Sequence, residues 1–244
     1  IEGYQDIAEE VIRMYGYDHV VPAFMPSAQV TIGGLNLQQK SELRLKKALC
    51  SVGAYECIHY SFFSPTDLDM LRLPEDAAER NAIRIMNPIS EELSLMRTTL
   101  ASSMINAIAR NQKRGNLEGR LFEVANVYMP YELPLTQDPD EKPRLCVGIF
   151  GKGESFYTMK GIAEKIADTL QLEFTYENMS NTFLHPYQTA CIKCNGEEIG
   201  YFGKLAYDIA DELDMRTPAF ILEMDLKIVS QWYGKKPVFT PLPK

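Results

Sequence analysis

The second half of this chain restricts its possible folds most: from Leu121 onward, short strand-like runs follow one another with little helix between them. Leu121–Tyr128, Leu145–Phe150, Glu173–Tyr176, Gln188–Lys193, Ile199–Gly203 and Ala219–Met224 are rich in β-branched and aromatic residues and separated by Gly, Pro and Asn. That is the punctuation expected of strands. Helical spacing in this half is confined to Met159, Ile162, Ala163 and Ile166, and to a short run from Tyr207 to Leu213. With so few βαβ units, the predicted class is α+β, a mostly antiparallel sheet flanked by helices.

The first half reads differently. Tyr4, Ile7, Ala8, Val11 and Tyr15 recur at helical spacing, and Gly16 stands where a helix C-cap belongs. Residues 21–36, with Pro22 and Pro26, read as a linker. A helix is expected from Leu37 to Val52, its stripe made by Leu45, Ala48, Leu49 and Val52. Tyr55 to Phe63 is aromatic and apolar on both faces, so a well-buried strand is expected there. Ser64-Pro65-Thr66-Asp67 has the order of a helix start: N-cap, proline, acid in the first turn. Ala82 to Met86 reads as a further strand, Leu100, Met104, Ala107 and Ile108 as a helix closing at Gly115, and 130–143 as a proline-punctuated loop.

Composition narrows the function classes. The net charge of −8 argues against a stand-alone nucleic-acid binder, because phosphate contact rests on Lys and Arg. Five scattered cysteines form no disulfide framework, which fits a reducing cytoplasm. No apolar run approaches the ~18–20 residues of a membrane span, and no signal peptide is visible, so a soluble protein is expected. Both ends read as cut, and a piece of a longer polypeptide is expected.

Most catalytic signatures are missing from the sequence. There is no GxxxxGK[ST], no GxSxG and no HExxH. Cys191 and Cys194 make one CxxC, but on a strand they point to opposite faces, which disfavours zinc. His19 and His59 stand alone and read as packed or solvated side chains. Asp6, Glu9 and Glu10 put three carboxylates on one side of the first helix. Hard oxygen donors so gathered suit magnesium, while an ordinary solvated acidic first turn is the commoner explanation. Arg110, Lys113 and Arg114 cluster near a helix C-terminus, where dipole complementarity accounts for them and a minor RNA contact stays open.

Three stretches carry a family resemblance. Asp6-Ile7-Ala8-Glu9-Glu10-Val11-Ile12-Arg13-Met14-Tyr15-Gly16-Tyr17 is similar to a D-L-x-E-E-V-x-R-x-Y-G-Y pattern. Asn87-Pro88-Ile89-Ser90-Glu91-Glu92-Leu93-Ser94-Leu95-Met96-Arg97-Thr98-Thr99-Leu100, with Leu121-Phe122-Glu123 after it, is similar to N-P-L-S-E-E-x-S-x-M-R-T-S-L and its following L-F-E strand. Phe183-Leu184-His185-Pro186 with Ala190, then Gly200-Tyr201-Phe202-Gly203-Lys204-Leu205, resembles F-H-P-G-x-x-A and G-x-x-G-x-L. Together, in this order, they resemble the β-subunit of bacterial phenylalanyl-tRNA synthetase. Tyr187-Gln188 depart from the family's Gly-Arg, and the similarity loosens after Leu205.

The resemblance implies a domain plan: residues 1–20 end a preceding small domain, 21–36 link, and 37–235 form a class II synthetase-like core. Residues 236–244 would lead to an anticodon-binding domain. It also implies that Asp6, Glu9 and Glu10 are magnesium ligands shared with the α-subunit, the set being completed by an Asp just before Ile1. A working class II synthetase holds ATP phosphates with an arginine after the motif-two strand and another after a glycine-rich strand. Such clamps stabilise phosphate-transfer charge. Here Leu121–Tyr128 runs into Met129-Pro130, and Ala219–Asp225 carries acids instead. The expectation is therefore a module with no catalytic residues of its own, working with the α-subunit and phenylalanine tRNA in an α2β2 ligase whose ATP is used by α. The helix from Leu37 to Val52 is the expected subunit contact. A free-standing metal-dependent enzyme at Asp6, Glu9 and Glu10 is the rival from another class, weakened by the lack of a nearby nucleophile or base. A self-sufficient synthetase is a third.

Overall fold

A computed structural model describes residues 3–24 and 32–230. Pro26 and the 236–244 linker of the expected plan lie outside them. The chain divides into two compact units, Ile1–Gly34 and Leu35–Lys244.

The first unit contains helix α1 (Tyr4–Tyr15), ended by Gly16 at φ 114°, a backbone conformation that favours glycine. A single 3-10 turn, Tyr17–His19, follows.

The second unit opens with α2 (Leu37–Ser51). Its start is fixed by a reciprocal cap: Gln39 N donates to Asn36 Oδ1 at 2.8 Å, and Asn36 N donates to Gln39 Oε1 at 2.9 Å. Then come β1 (Tyr55–Glu56), β2 (Phe62–Phe63) and α3 (Pro65–Met70), the last capped by Ser64 and Asp67 as the sequence predicts. β3 (Leu95–Met96) pairs with β2 in a two-stranded sheet. Helix α4 (Ala101–Lys113) leads into the hairpin of β4 (Gly119–Met129) and β5 (Asp140–Phe150). Helix α5 (Phe156–Leu170) precedes β6 (Phe174–Asn178), β7 (Leu184–Cys194) and β8 (Glu197–Leu205). Helix α6 (Tyr207–Glu212), β9 (Ala219–Asp225) and the short α7 (Leu226–Val229) complete the described chain.

The main sheet has seven strands in the order β1-β4-β5-β9-β8-β7-β6. Among the described residues, only the β1–β4 pairing of this sheet is parallel. Alternation divides its side chains between two layers. Leu145, Val147, Ile149, Phe220, Leu222 and Met224 pack with Leu45 and Leu49 of α2 and Met159, Ile162 and Ile166 of α5. Cys146, Phe150 and Ile221 face the other way, against Met104, Ile105 and Ile108 of α4. α4 lies so close that a Cβ at Gly148 would stand 2.7 Å from both Met104 Cγ and Ile108 Cδ1. Burial on both faces is why Leu145–Phe150 of β5 and Ala219–Leu222 of β9 carry no charged residue.

Three sequence expectations are corrected. Tyr55 to Phe63 is not one buried strand: only β1 and β2 at its ends are strand, and Phe63 alone is buried. β1 lies at the sheet edge, paired among the described residues with β4 alone. Ala82 to Met86 forms a single bridge, Arg84 to Leu95, because its partner strand is two residues long. The loop after β4 ends at 139, since β5 already starts at Asp140. Pro143 is tolerated there because β5 at that point pairs with β4 alone, β9 joining only from Arg144.

Candidate functional site

The face of the sheet under α4 carries one continuous row of side chains across four strands. Glu123 of β4 is opposite Cys146 of β5, Cys146 opposite Glu223 of β9, and Glu223 opposite Tyr201 of β8. Two buried carboxylates in an otherwise apolar sheet need partners, because an isolated charge there costs several kcal/mol.

Glu223 takes four donors. Oε1 accepts from Leu100 N at 3.1 Å and Arg144 Nη1 at 3.2 Å; Oε2 accepts from Thr99 Oγ1 at 2.6 Å and Tyr201 OH at 2.8 Å. Glu123 takes three contacts. Oε1 accepts from His59 N and Arg97 Nη1, both at 3.1 Å, and Oε2 lies 2.6 Å from His59 Nδ1. Arg97, itself buried, also donates from Nε to Asn126 O at 2.8 Å and from Nη1 to Tyr60 O at 3.2 Å. The Arg97-Thr98-Thr99-Leu100 run is therefore fastened to β4 at one end and β9 at the other.

The electrostatics follow from this packing. Burial pushes the Glu123 carboxyl upward, but the His59 hydrogen bonds and the Arg97 charge outweigh it and hold the group below its usual range. Burial and then the Glu223 charge push the Tyr201 phenol well above its ordinary value. Burial opposes the Arg144 charge, yet Glu223 beside it raises its pKa, so the guanidinium stays protonated. Cys146 is pushed well up, by burial first and then by the two carboxylates, and so is a neutral thiol with little nucleophilic character.

An ionised carboxylate has about four acceptor sites. Glu223 has filled them with the chain's own donors, leaving nothing to accept a substrate proton. Beside it is a recess of ≈200 Å³ lined by Glu79, Glu198, Glu223 and Asp225 around a single cation, Arg144. Four carboxylates around one guanidinium repel a triphosphate.

Asp6, Glu9 and Glu10 lie on α1, with no residue of that helix buried. Asp6 Oδ2 accepts from Gly3 N at 3.2 Å, and Glu10 Oε2 pairs with Arg13 Nη2 at 2.5 Å. Among the described residues, no three His, Cys, Asp or Glu side chains converge as a ligand set would. The donor chemistry still suits magnesium. The competing Glu10–Arg13 contact is an exposed ion pair, worth about 0–1 kcal/mol, which an incoming cation displaces easily.

The edge at β1 is the other prominent feature. Tyr55, Ile58 and Tyr60 are 74%, 92% and 69% exposed. Next to them a cleft of ≈460 Å³ runs past Phe62 and Leu93 to Asn106 and Arg110.

The remaining residues singled out in the sequence stay apart from these features. Cys191 and Cys194 are both buried. The His19 ring packs on Tyr15, centroids 4.2 Å apart. Lys113 reaches Asp214 at 3.9 Å. His59 does not stand alone, as sequence reasoning had it, but is bound to Glu123. Glu223, Arg144, Tyr201 and Thr99 were missed as a group. The one available signal was a charged residue in the middle of an apolar strand.

Comparison with known proteins gives consistent results. A family model described as the phenylalanyl tRNA synthetase beta chain CLM domain matches residues 21–226. A phenylalanine–tRNA ligase beta subunit of Clostridium tetani is 34% identical over 98% of this chain and 30% of that protein. One from Clostridium acetobutylicum is 32% identical, again over 98% of this chain and 30% of the relative. The chain thus spans about 30% of the length of these curated relatives. Among solved structures, pyrrolysyl-tRNA synthetase from Desulfitobacterium hafniense superimposes with a TM-score of 0.62 at 14% identity, covering 93% of this chain and 75% of that one. That likeness shows a shared fold, the class II synthetase fold.

Proposed function

Because the chain belongs to the phenylalanyl-tRNA synthetase β-chain family, we propose that it is a non-catalytic, synthetase-like module that assembles with the α-subunit and positions phenylalanine tRNA. ATP-dependent adenylation is left to the α-subunit, within a cytoplasmic assembly of two α and two β chains. The observation that carries the assembly reading is the bare edge at β1. Tyr55 of this two-residue strand and Ile58 and Tyr60 just beyond it hold apolar side chains out to solvent, and a clustered exposed apolar patch marks a surface for another chain. Leu37 and Leu43 of α2, the helix expected to make the subunit contact, are exposed as well. Support for the non-catalytic reading comes from the saturated Glu223 and the acidic recess beside it.

The test mixes this chain with a bacterial phenylalanyl-tRNA synthetase α-subunit and measures mass by light scattering on a sizing column. A discrete complex is expected. Replacing Tyr55, Ile58 and Tyr60 together by serine should weaken it by about 100-fold or more, since buried aromatic anchors dominate such interfaces. The fold should survive, because exposed positions contribute within about 0.5 kcal/mol. In the same samples, phenylalanine-dependent exchange of pyrophosphate into ATP is expected from the complex and not from this chain alone. Absence of a complex, or a complex indifferent to the triple substitution, would reject the assembly role. Exchange by the isolated chain would reject the non-catalytic one.

Asp6, Glu9 and Glu10 are proposed as magnesium ligands shared with the α-subunit. When bound, the ion would supply a positive charge joining these carboxylates to oxygen donors of the partner. Calorimetric titration with magnesium should give binding on the order of millimolar for this chain, tightening when the α-subunit is added. Glu9→Gln with Glu10→Gln should abolish that tightening, while leaving the Asp6 cap in place. Equal binding by the substituted chain would place the ion elsewhere.

A further inference from the structure

Between Leu184 and Thr189, strand β7 leaves its register with β8: Leu184 pairs with Leu205 and Thr189 with Gly203, so residues 185–188 face Lys204 alone. Bulges of this kind re-aim side chains out of a sheet. This one is closed internally. Thr189 Oγ1 donates to His185 O at 2.7 Å, and Tyr187 N donates to His185 Nδ1 at 3.2 Å.

The bulge holds Tyr187 almost wholly in solvent, 91% exposed, and Tyr207 at the start of α6 is 59% exposed. His185 stands between them, 6.1 Å from the Tyr187 ring and 5.4 Å from the Tyr207 ring, perpendicular to the latter at 82°. Lys204 Nζ lies 4.2 Å from the Tyr207 ring centre and donates to its hydroxyl at 2.7 Å. Of the three acids of α6, Asp208, Asp211 and Glu212, Arg72 pairs with Glu212 and lies 3.9 Å from Asp208.

We propose that the Tyr187–His185–Tyr207 cluster with Lys204 is a stacking platform for an unpaired nucleotide, the base on a tyrosine face and its phosphate near the ammonium. Rings with a free π-face beside a cation are the combination that single-stranded nucleic-acid sites use, and they accept any base. The ring contacts here are made by tyrosine, histidine and lysine, so the patch joins π-faces to a cation, whereas no cation–ring contact accompanies Tyr55 and Tyr60 at β1 among the described residues. The preformed bulge means that little ordering is needed on binding. This inference rests on the tRNA-positioning part of the reading above and names the element that would do it.

The test is fluorescence anisotropy of this chain with a short labelled oligoadenylate at low salt, against a strand of equal length and charge with abasic sites. The oligoadenylate should bind, and the abasic strand should bind at least about fivefold more weakly. Tyr187→Ala should weaken the oligoadenylate by at least about fivefold and leave the abasic strand unaffected, while Tyr187→Phe should restore binding because the ring is what acts. Lys204→Ala should weaken both strands and flatten the salt dependence. Thermal melting checks that each variant folds; Tyr187 is exposed enough for its substitution to be silent there. Equal binding of the two strands, an unaffected Tyr187→Ala, or no binding by the original chain would each overturn the proposal. No α-subunit is present, so failure here leaves the assembly reading standing, and failure of assembly leaves this one standing.

Discussion

Arg97→Ala is expected to lower the free energy of unfolding by about 3–5 kcal/mol, the loss typical of breaking one side of a buried ion pair. The guanidinium neutralises Glu123 and also donates to the Tyr60 and Asn126 carbonyls. Alanine would leave a buried carboxylate with only His59 and two backbone carbonyls without their donor. Arg97→Lys should recover little, because one ammonium cannot reproduce the fork. Urea unfolding measures this directly, with the midpoint falling and the slope unchanged. Since the Glu123 pKa is depressed in the fold, the unfolded chain binds more protons at acid pH. Its stabilisation is thus present above the ordinary value of 4.5 and lost as pH falls through the lower, folded value. In Arg97→Ala that acid dependence should shrink. A midpoint shift worth less than about 1 kcal/mol would mean the network does not hold the fold together.

Glu223→Ala should be comparably damaging, at about 3–5 kcal/mol, though by a different route. Four donors lose their acceptor at once: Leu100 N, Thr99 Oγ1, Tyr201 OH and Arg144 Nη1. Two of these belong to the run entering α4, so the helix start loosens together with the sheet. Glu223→Gln preserves the shape but turns one acceptor into an amide donor facing other donors, so it should cost nearly as much. The loosened Tyr201 ring should show in near-ultraviolet circular dichroism before global melting. A Gln variant as stable as the original would indicate that shape, and not the charge, is what matters at this position.

Strands β4 to β9 were legible because each contains an apolar or aromatic stretch bounded by turn residues, and such stretches locate strands whatever their partners. The aromatic run from Tyr55 to Phe63 misled for the same reason. Apolar composition says that a segment seeks cover, not whether the cover comes from its own chain. Ala82 to Met86 failed because a strand needs a neighbour of matching length, and Leu95–Met96 is too short to be one. The carboxylate network was out of reach: Thr99 and Glu223 are 124 residues apart, and only the closed sheet brings them together. The acidic side of α1 was visible as a pattern. Its competition with the Gly3 and Arg13 contacts was not, because rotamers are settled by neighbours.

The position of β9 has a consequence for how the chain is made. It lies between β5 and β8, yet it is the last strand in the described sequence. During synthesis the β4–β5 hairpin and the β6–β7–β8 meander emerge first, each with an open edge facing a gap. Neither half completes its layer until residues 219–225 have left the ribosome. Local hairpins form in microseconds, but this pairing waits on elongation at about 5–20 residues per second. For about 1–4 seconds the nascent chain holds two unfinished sheets, and chaperone protection would matter most in that interval.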